Sequence, residues 1–206
     1  AVISVIIYHA EILFHGYSFF KGGFLGVDIF FVISGYLISK IIFNEIYINS
    51  SFNFSKFYEK RARRILPLLF AVILFSFPFA WYRMLPSQLV EYSESIISTL
   101  FFVSNIFFYF TSTEYGAESS LFKPFLHTWS LGIEEQFYIF FPILLIFIYK
   151  YVRVFLFYIF FFIFLSSFLY AIYLSNINYN LSFYFLLTRF WEIIFGVILA
   201  YIDLNF

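Results

Sequence analysis

The polar segment at residues 127–138 holds the side chains best suited to chemistry, because it sets two carboxylates beside an apolar run ending at residue 149. A charge near hydrocarbon is costly unless it is paired or has a function. Glu134 and Glu135 are therefore candidate catalytic groups. Since they are adjacent, we expect at most one to face the interior of a helix bundle. The same segment supplies four candidate supporting residues: His127, Trp129, Ser130 and Gln136.

A histidine in the apolar start of the chain is the candidate general base. His9 carries the side chain most able to move a proton near neutral pH. Glu11 lies two residues further along, so on a helix its side chain points to a different face from that of His9. We expect it near the end at which the helix leaves the membrane. The alternative is that His9 only hydrogen-bonds a neighbouring helix. Asp28 and Glu192 are further carboxylates at the predicted membrane edges, and Ser34 is explained equally well by helix packing beside Gly35.

A basic cluster marks residues 56–64, where five of nine positions are Lys or Arg. Arg61, Arg63 and Arg64, together with Tyr58, are candidate binders of a cytosolic phosphorylated ligand, because the arginine fork matches phosphate oxygens. The competing interpretation is that the cluster only sets membrane topology.

The composition requires a membrane to surround these candidate sites. Of 206 residues, 63% are hydrophobic and 12% are charged, and the mean hydropathy is +0.92. No soluble domain of this size could bury so much apolar surface. Zero net charge argues against a nucleic-acid partner, and three scattered histidines with no cysteine argue against a metal site.

The spacing of apolar runs predicts an all-α fold, a polytopic transmembrane bundle of about six to seven helices. The predicted helices cover residues 1–14, 24–43, 65–82, 137–149, 154–174 and 190–202. Residues 95–113 form either a further span or a re-entrant or interfacial segment.

Topology follows from the positive charges. The 56–64 cluster is expected in the cytoplasm. If residues 95–113 span the membrane, the 127–138 segment is cytoplasmic and the loop with Lys150 and Arg153 is external. If they do not, the segment faces outward and the two basic residues face the cytoplasm. We favour the second arrangement because it obeys the positive-inside rule.

Five segments, in order, resemble the acyltransferase 3 family of bacterial integral-membrane O-acyltransferases. They are residues 5–9, 23–38, 57–67, 127–142 and 188–196. The resemblance implies that residues 1–206 form a single transmembrane acyltransferase domain, truncated at the N-terminus and missing the C-terminal helices, and that these residues supply six to seven of the roughly ten helices of the family's complete domain. It also implies a multi-pass protein of the bacterial cytoplasmic membrane.

The resemblance further implies transfer of an acyl group, usually acetyl, from cytosolic acyl-CoA to a hydroxyl of a cell-surface glycan or lipid-linked saccharide. Acyl-CoA would be a co-substrate, with no bound cofactor, and membrane lipid would be the other partner. By position, His9 matches the proton-transfer histidine, and Arg61 and Arg64 match the arginine motif linked with the donor. Glu134 and Glu135 match the carboxylate motif, and Arg189 and Glu192 lie in the last matching segment.

Two other functions fit the same pattern. A transporter or flippase for lipid-linked sugars would also need charges within the membrane. An inactive membrane subunit would keep the fold without the chemistry. The arginine cluster distinguishes them, because a flippase has no evident need of a phosphate clamp on the cytoplasmic side.

Overall fold

A computed structural model describes residues 1–10, 13–14, 17–18, 22–49, 51–113 and 123–205. These residues are almost all helical, as expected where only internal hydrogen bonds can satisfy the backbone. The helices are α1 (Val2–His9), α2 (Leu25–Asn49), α3 (Phe54–Arg83), α4 (Pro86–Leu100), α5 (Ser104–Thr113), α6 (Thr128–Val152), α7 (Leu156–Ile177), α8 (Tyr179–Tyr184) and α9 (Leu186–Asn205). A short 3-10 turn, Arg153–Phe155, joins α6 to α7.

Four described segments are long and apolar enough to cross a membrane: Leu25–Asn49, Phe54–Arg83, Thr128–Ile177 and Tyr179–Leu204. The third is 50 residues long, enough for two crossings of about 20 residues each. The polytopic all-α membrane fold predicted from the sequence is therefore confirmed.

Helix ends differ from the hydropathy prediction. The basic cluster lies in the first turns of α3, and the polar 127–138 segment lies almost entirely inside α6. Hydropathy detects only the apolar part of a helix, whereas the backbone hydrogen bonds continue through its polar turns. The predicted first helix is too long, because α1 ends at His9 and a two-stranded antiparallel pairing, Leu13–Phe14 (β1) with Tyr17–Ser18 (β2), follows.

The 95–113 stretch is not one spanning helix. It is divided between α4 and α5, of 15 and 10 residues, each shorter than the roughly 20 residues of a span. The turn between them places Phe102 at φ 56°, in the left-handed region that non-glycine residues rarely adopt. Of the two alternatives for this stretch, the single span is thus wrong.

The chain divides into two compact units, Ala1–Ile48 with Leu144–Phe206, and Asn49–Ile143. In the first unit, α2 and α9 approach closely at two glycines. A Cβ added to Gly35 would collide with the carbonyl oxygen of Ile193, and one added to Gly196 would collide with that of Val32. Small residues that let backbones meet are the usual device of membrane helix packing.

In the second unit, polar contacts attach the corner between α4 and α5 to the start of α6. The Thr99 and Thr128 hydroxyls are 2.9 Å apart. Ser104 Oγ donates to the carbonyl oxygen of Thr128 at 2.7 Å. This corner and α3 position the first half of α6, which carries the two candidate carboxylates.

Candidate active site

The α3 basic cluster meets the α6 polar segment in the second unit. The Arg61 guanidinium carbon lies 4.1 Å from the ring centroid of Tyr138, a cation–π geometry. The hydroxyl of that tyrosine donates to Glu134 Oε1 at 2.8 Å. One turn before Arg61, the Tyr58 hydroxyl donates to the carbonyl oxygen of Ile139 at 2.8 Å. Two segments that are far apart in sequence therefore build one site.

Both candidate carboxylates are buried, with 5% of Glu134 and 7% of Glu135 exposed. The expectation that at most one would face the interior is wrong, because the first half of α6 is covered on more than one side. Arg61 acts electrostatically on both carboxylates, and Arg64 acts on Glu134. Oε1 of Glu135 has no hydrogen-bond partner among the described residues. The two carboxylates can therefore accept a proton or a hydrogen bond from a ligand.

The three arginines of the cluster have different surroundings. Arg61 turns toward α6, as described above. Arg63 points outward, with 79% of its side chain exposed, and pairs with Glu59 at 2.8 Å. Arg64 is also exposed. A phosphorylated molecule approaching from solvent would therefore meet Arg63 and Arg64 before Arg61.

Gln136 holds the corner between α4 and α5. Its amide nitrogen donates to the carbonyl oxygen of Phe102 and to Asn105 Oδ1, each at 2.8 Å. It thereby fixes the residue with positive φ. Gly132, one turn earlier, lies close to Ser104 and Asn105, since a Cβ there would come within 3.1 and 3.0 Å of their side-chain oxygens.

The other supporting residues of this segment build the start of α6. His127 Nδ1 donates to the carbonyl oxygen of Pro124 at 3.0 Å, and its ring stacks on Phe125 at 6.2 Å. Ser130 Oγ donates to the carbonyl oxygen of His127 at 3.2 Å. Trp129 is buried. The contacts recorded for His127 and Ser130 are local and do not reach the two carboxylates.

The candidate base lies in the first unit. His9 is exposed at the end of α1, and the contact recorded for its ring among the described residues is with neighbouring Tyr8 at 5.2 Å. Tyr8 in turn meets Phe24 at 5.8 Å, so His9 lies at the end of the unit where α2 begins. Glu11 lies outside the described residues.

Three supporting candidates of the first unit form one charge network. Arg189 Nη1 donates to Asp28 Oδ1 at 3.0 Å and to Glu192 Oε1 at 2.9 Å. Only 1% of Glu192 is exposed. Ser34 is buried in α2 beside Gly35. Because α1 packs on the start of α2, His9 and this network lie at the same end of the unit.

Two residues of the site, Tyr138 and Asn105, were not predicted from the sequence. Tyr138 links Arg61 to Glu134, and its i, i+4 spacing from Glu134 on a helix was a usable signal. Asn105 accepts from Gln136, but nothing in its local sequence pointed to α6.

This chain has relatives among known proteins. A family model described as an acyltransferase domain, that of acyltransferase 3, matches residues 1–206. The peptidoglycan O-acetyltransferase OatA of Listeria monocytogenes is 38% identical over 153 residues, which is 74% of this chain and 24% of the relative. The O-acetyltransferase OatA of Staphylococcus aureus is 36% identical over 152 residues, covering 72% and 23%.

A putative O-acetyltransferase of Staphylococcus aureus is 34% identical over 209 residues, or 98% of this chain and 33% of the relative. The matched parts thus amount to between about a quarter and a third of these relatives. No solved structure gives a significant match. Since the family model extends over the whole sequence, this chain belongs to the acyltransferase 3 family.

Proposed function

We propose that this chain forms the membrane-embedded acyl-transfer unit of an O-acyltransferase. It moves an acyl group, in the simplest case acetyl, from cytosolic acyl-CoA to a hydroxyl of a cell-surface glycan or a lipid-linked saccharide. The named relatives support the acetyl group, and one is named for peptidoglycan. The membrane would be the bacterial cytoplasmic membrane, because acyl-CoA is made on its inner side.

The observation that carries this proposal is the contact of Arg61 with Tyr138 above the buried Glu134. A cluster that served only topology would lie in solvent with no partner inside the protein. Here the side chain of Arg61 turns toward α6 and faces two buried carboxylates, whereas Arg63 and Arg64 are exposed. The cluster thus combines a surface suited to phosphates with a cation directed at acidic groups.

The exposed part of the cluster fits the donor. Coenzyme A carries a 3′-phosphate and a pyrophosphate, and arginine binds such groups through paired N–H donors. Arg64 is exposed and close enough to act on Glu134. It can therefore bind phosphate at the surface while the charge of Arg61 stays with the carboxylates.

The chemical step uses His9 as the general base. The neutral imidazole takes the proton of a sugar hydroxyl, and the oxygen attacks the thioester carbonyl of the donor. A carbon–oxygen bond forms and the carbon–sulfur bond breaks, so that coenzyme A leaves as a thiolate. The imidazolium then returns the proton to the thiolate. Glu134 and Glu135 would accept hydrogen bonds from the reactants or orient the groups that do.

The test is acyl transfer by membranes that contain the protein, supplied with acetyl-CoA labelled in the acetyl group. Label in an extracytoplasmic saccharide, released by mild alkali as an ester is, supports the acyltransferase. If saccharide crosses the membrane without gaining label, the flippase is the correct function. If neither transfer nor transport exceeds that of membranes lacking the protein, the inactive subunit is correct.

A further inference from the structure

A proline interrupts the hydrogen bonds of α6 two turns after the candidate carboxylates. Pro142 lies inside α6 and is buried. Because proline has no N–H, the helix loses the bond that would reach back by four residues, and the ring crowds the carbonyl group there. Bending away from this crowding also weakens the next bond along, which ends at the carbonyl oxygen of Ile139. This turn of α6 therefore needs a donor from outside the helix.

The hydroxyl of Tyr58 on α3 supplies such a donor. It donates to the carbonyl oxygen of Ile139 at 2.8 Å. Tyr58 is half-buried, and its ring contacts Phe54 and Phe57, with centroids 6.5 and 5.3 Å away. The side chain of Ile139 is 43% exposed, so its own packing restrains this turn only in part. In a membrane, the backbone groups disturbed by a proline are satisfied by neighbouring helices, and Tyr58 has that place in α3.

The turn that Tyr58 contacts is the one that follows the two carboxylates. Tyr138 lies four residues after Glu134, and its hydroxyl donates to that carboxylate at 2.8 Å. Ile139 lies four residues after Glu135, on the same face of the helix. Oε1 of Glu135 has no hydrogen-bond partner among the described residues. The orientation of Glu135 therefore depends more than that of Glu134 on the backbone of α6, which Tyr58 holds one turn later.

Tyr58 and Arg61 make adjacent contacts from α3 to α6. They are three residues apart, so they share one face of α3, and they meet the consecutive residues Ile139 and Tyr138. The contact of Arg61 with the ring face of Tyr138 allows sliding across the ring. A hydrogen bond to a backbone carbonyl instead restricts both distance and direction. Of the two contacts, that of Tyr58 therefore fixes the register of α6 against α3.

We propose that Tyr58 is a positioning residue of the acyl-transfer reaction. Its hydroxyl supplies the donor that α6 lacks at Pro142 and so keeps the two carboxylates in register with Arg61. The alternative is that Tyr58 binds donor phosphates beside the exposed arginines. A phosphate oxygen needs a hydrogen-bond donor, and the one O–H hydrogen of Tyr58 is already given to α6. The assignment rests on the proposed function for the reaction that is measured.

The kinetic test is Tyr58→Phe, which removes the hydroxyl and keeps the ring. The kcat for acetyl transfer should fall roughly tenfold, as expected for one lost hydrogen bond. The KM for acetyl-CoA should change by less than about twofold, because no donor contact is removed. Tyr82→Phe is the matched control and should equal the wild type, since Tyr82 is exposed at the other end of α3. A raised KM with unchanged kcat would overturn the proposal in favour of phosphate binding.

A second substitution separates positioning from a general loss of stability. Pro142→Ala restores the missing N–H to α6, so the helix no longer needs the hydroxyl of Tyr58. In this background Tyr58→Phe should lower kcat by less than about twofold, so the two substitutions are not additive. Rates are compared at matched levels of folded protein. An equal loss of kcat with Pro142 and with alanine at this position would overturn the proposal, because the hydroxyl would then act independently of the proline.

Hydrogen exchange tests the same contact without requiring catalysis. In the purified full chain, the amides of residues 139–146 should exchange about fivefold faster in Tyr58→Phe than in the wild type, because this part of α6 opens locally more often. Tyr82→Phe should exchange at the wild-type rate. Faster exchange in Tyr58→Phe, with a wild-type protein that transfers no acetyl group, would keep the role of Tyr58 in holding α6 and reject the acyltransferase. Unchanged exchange would overturn the assignment even where acetyl transfer is observed.

Discussion

Arg61 and Tyr138 form the contact that joins the two polar segments of the second unit. The guanidinium carbon lies 4.1 Å from the ring centroid, and the hydroxyl of the same ring donates to Glu134. Tyr138 therefore contacts the cation on its ring face and the carboxylate at its hydroxyl. The first prediction separates these two contacts.

Tyr138→Phe keeps the ring below Arg61 and removes the hydrogen bond to Glu134. A hydrogen bond to a charged group contributes about 1.5–3 kcal/mol, and because this one orients Glu134 we expect its loss to lower acetyl transfer roughly tenfold or more. The rate should be measured with labelled acetyl-CoA at matched protein levels. Tyr92→Phe is the control, because it removes a similar hydrogen bond, to Ser76 at 2.8 Å, away from the carboxylates. Equal losses in both variants would show that Tyr138 matters only for stability.

His9→Ala should abolish transfer without weakening donor binding. General-base catalysis typically contributes about 10²–10⁴-fold, and the arginine cluster lies on another helix. Transfer and equilibrium binding of acetyl-CoA should be measured on the same preparation. His9→Gln, which can still form a hydrogen bond, should be as inactive as the alanine variant. Full activity in His9→Gln would rule out proton transfer by this residue.

Gly35→Ala should destabilise the first unit. The added methyl group would collide with the backbone of α9 at Ile193, and overpacking of this kind costs about 1–3 kcal/mol. Thermal unfolding in detergent should show a midpoint several degrees lower. Gly22→Ala serves as the control, because no atom of the described residues lies within 4 Å of a Cβ added there. An unchanged midpoint for Gly35→Ala would contradict the close approach of α2 and α9.

Gln136→Leu should loosen the corner between α4 and α5. It removes the two hydrogen bonds that Gln136 donates to Phe102 and Asn105, each of which contributes about 0.5–1.5 kcal/mol. Limited proteolysis should then cut the 101–103 turn faster. Gln88→Leu, which loses one exposed contact with the backbone of Leu85, should have a smaller effect. A turn that stays equally resistant in both variants would refute the anchoring role of Gln136.

The sequence was sufficient for the fold class because apolar run length is a strong signal in membrane proteins. It also identified the residues of both polar segments, since charges in apolar surroundings stand out. It missed the pairing of Asp28 with Arg189, which are 161 positions apart, because local periodicity contains no information about such contacts. The burial of both Glu134 and Glu135 likewise depends on neighbours that cover more than one side of α6.

The division of the 95–113 stretch had no hydropathy signal. Its apolar residues are compatible with one span, and the corner is held by hydroxyl and amide groups such as those of Ser104 and Gln136. These groups are too common in loops and helices to predict a fold feature alone. Their effect depends on α6 being in place to receive them.

The measurement that tests the central claim most directly is acetyl transfer by Arg61→Ala and Arg61→Lys, with Arg83→Ala as the control. Arg83 is an exposed arginine at the other end of α3. We predict that Arg61→Ala lowers kcat/KM roughly 100-fold or more, because the cation facing the two carboxylates is lost. The kcat/KM of Arg61→Lys should lie between that of Arg61→Ala and that of the wild type, since lysine keeps the charge without the planar fork. Arg83→Ala should match the wild type. If Arg61→Ala transfers acetyl as well as Arg83→Ala does, the two polar segments are not one active site.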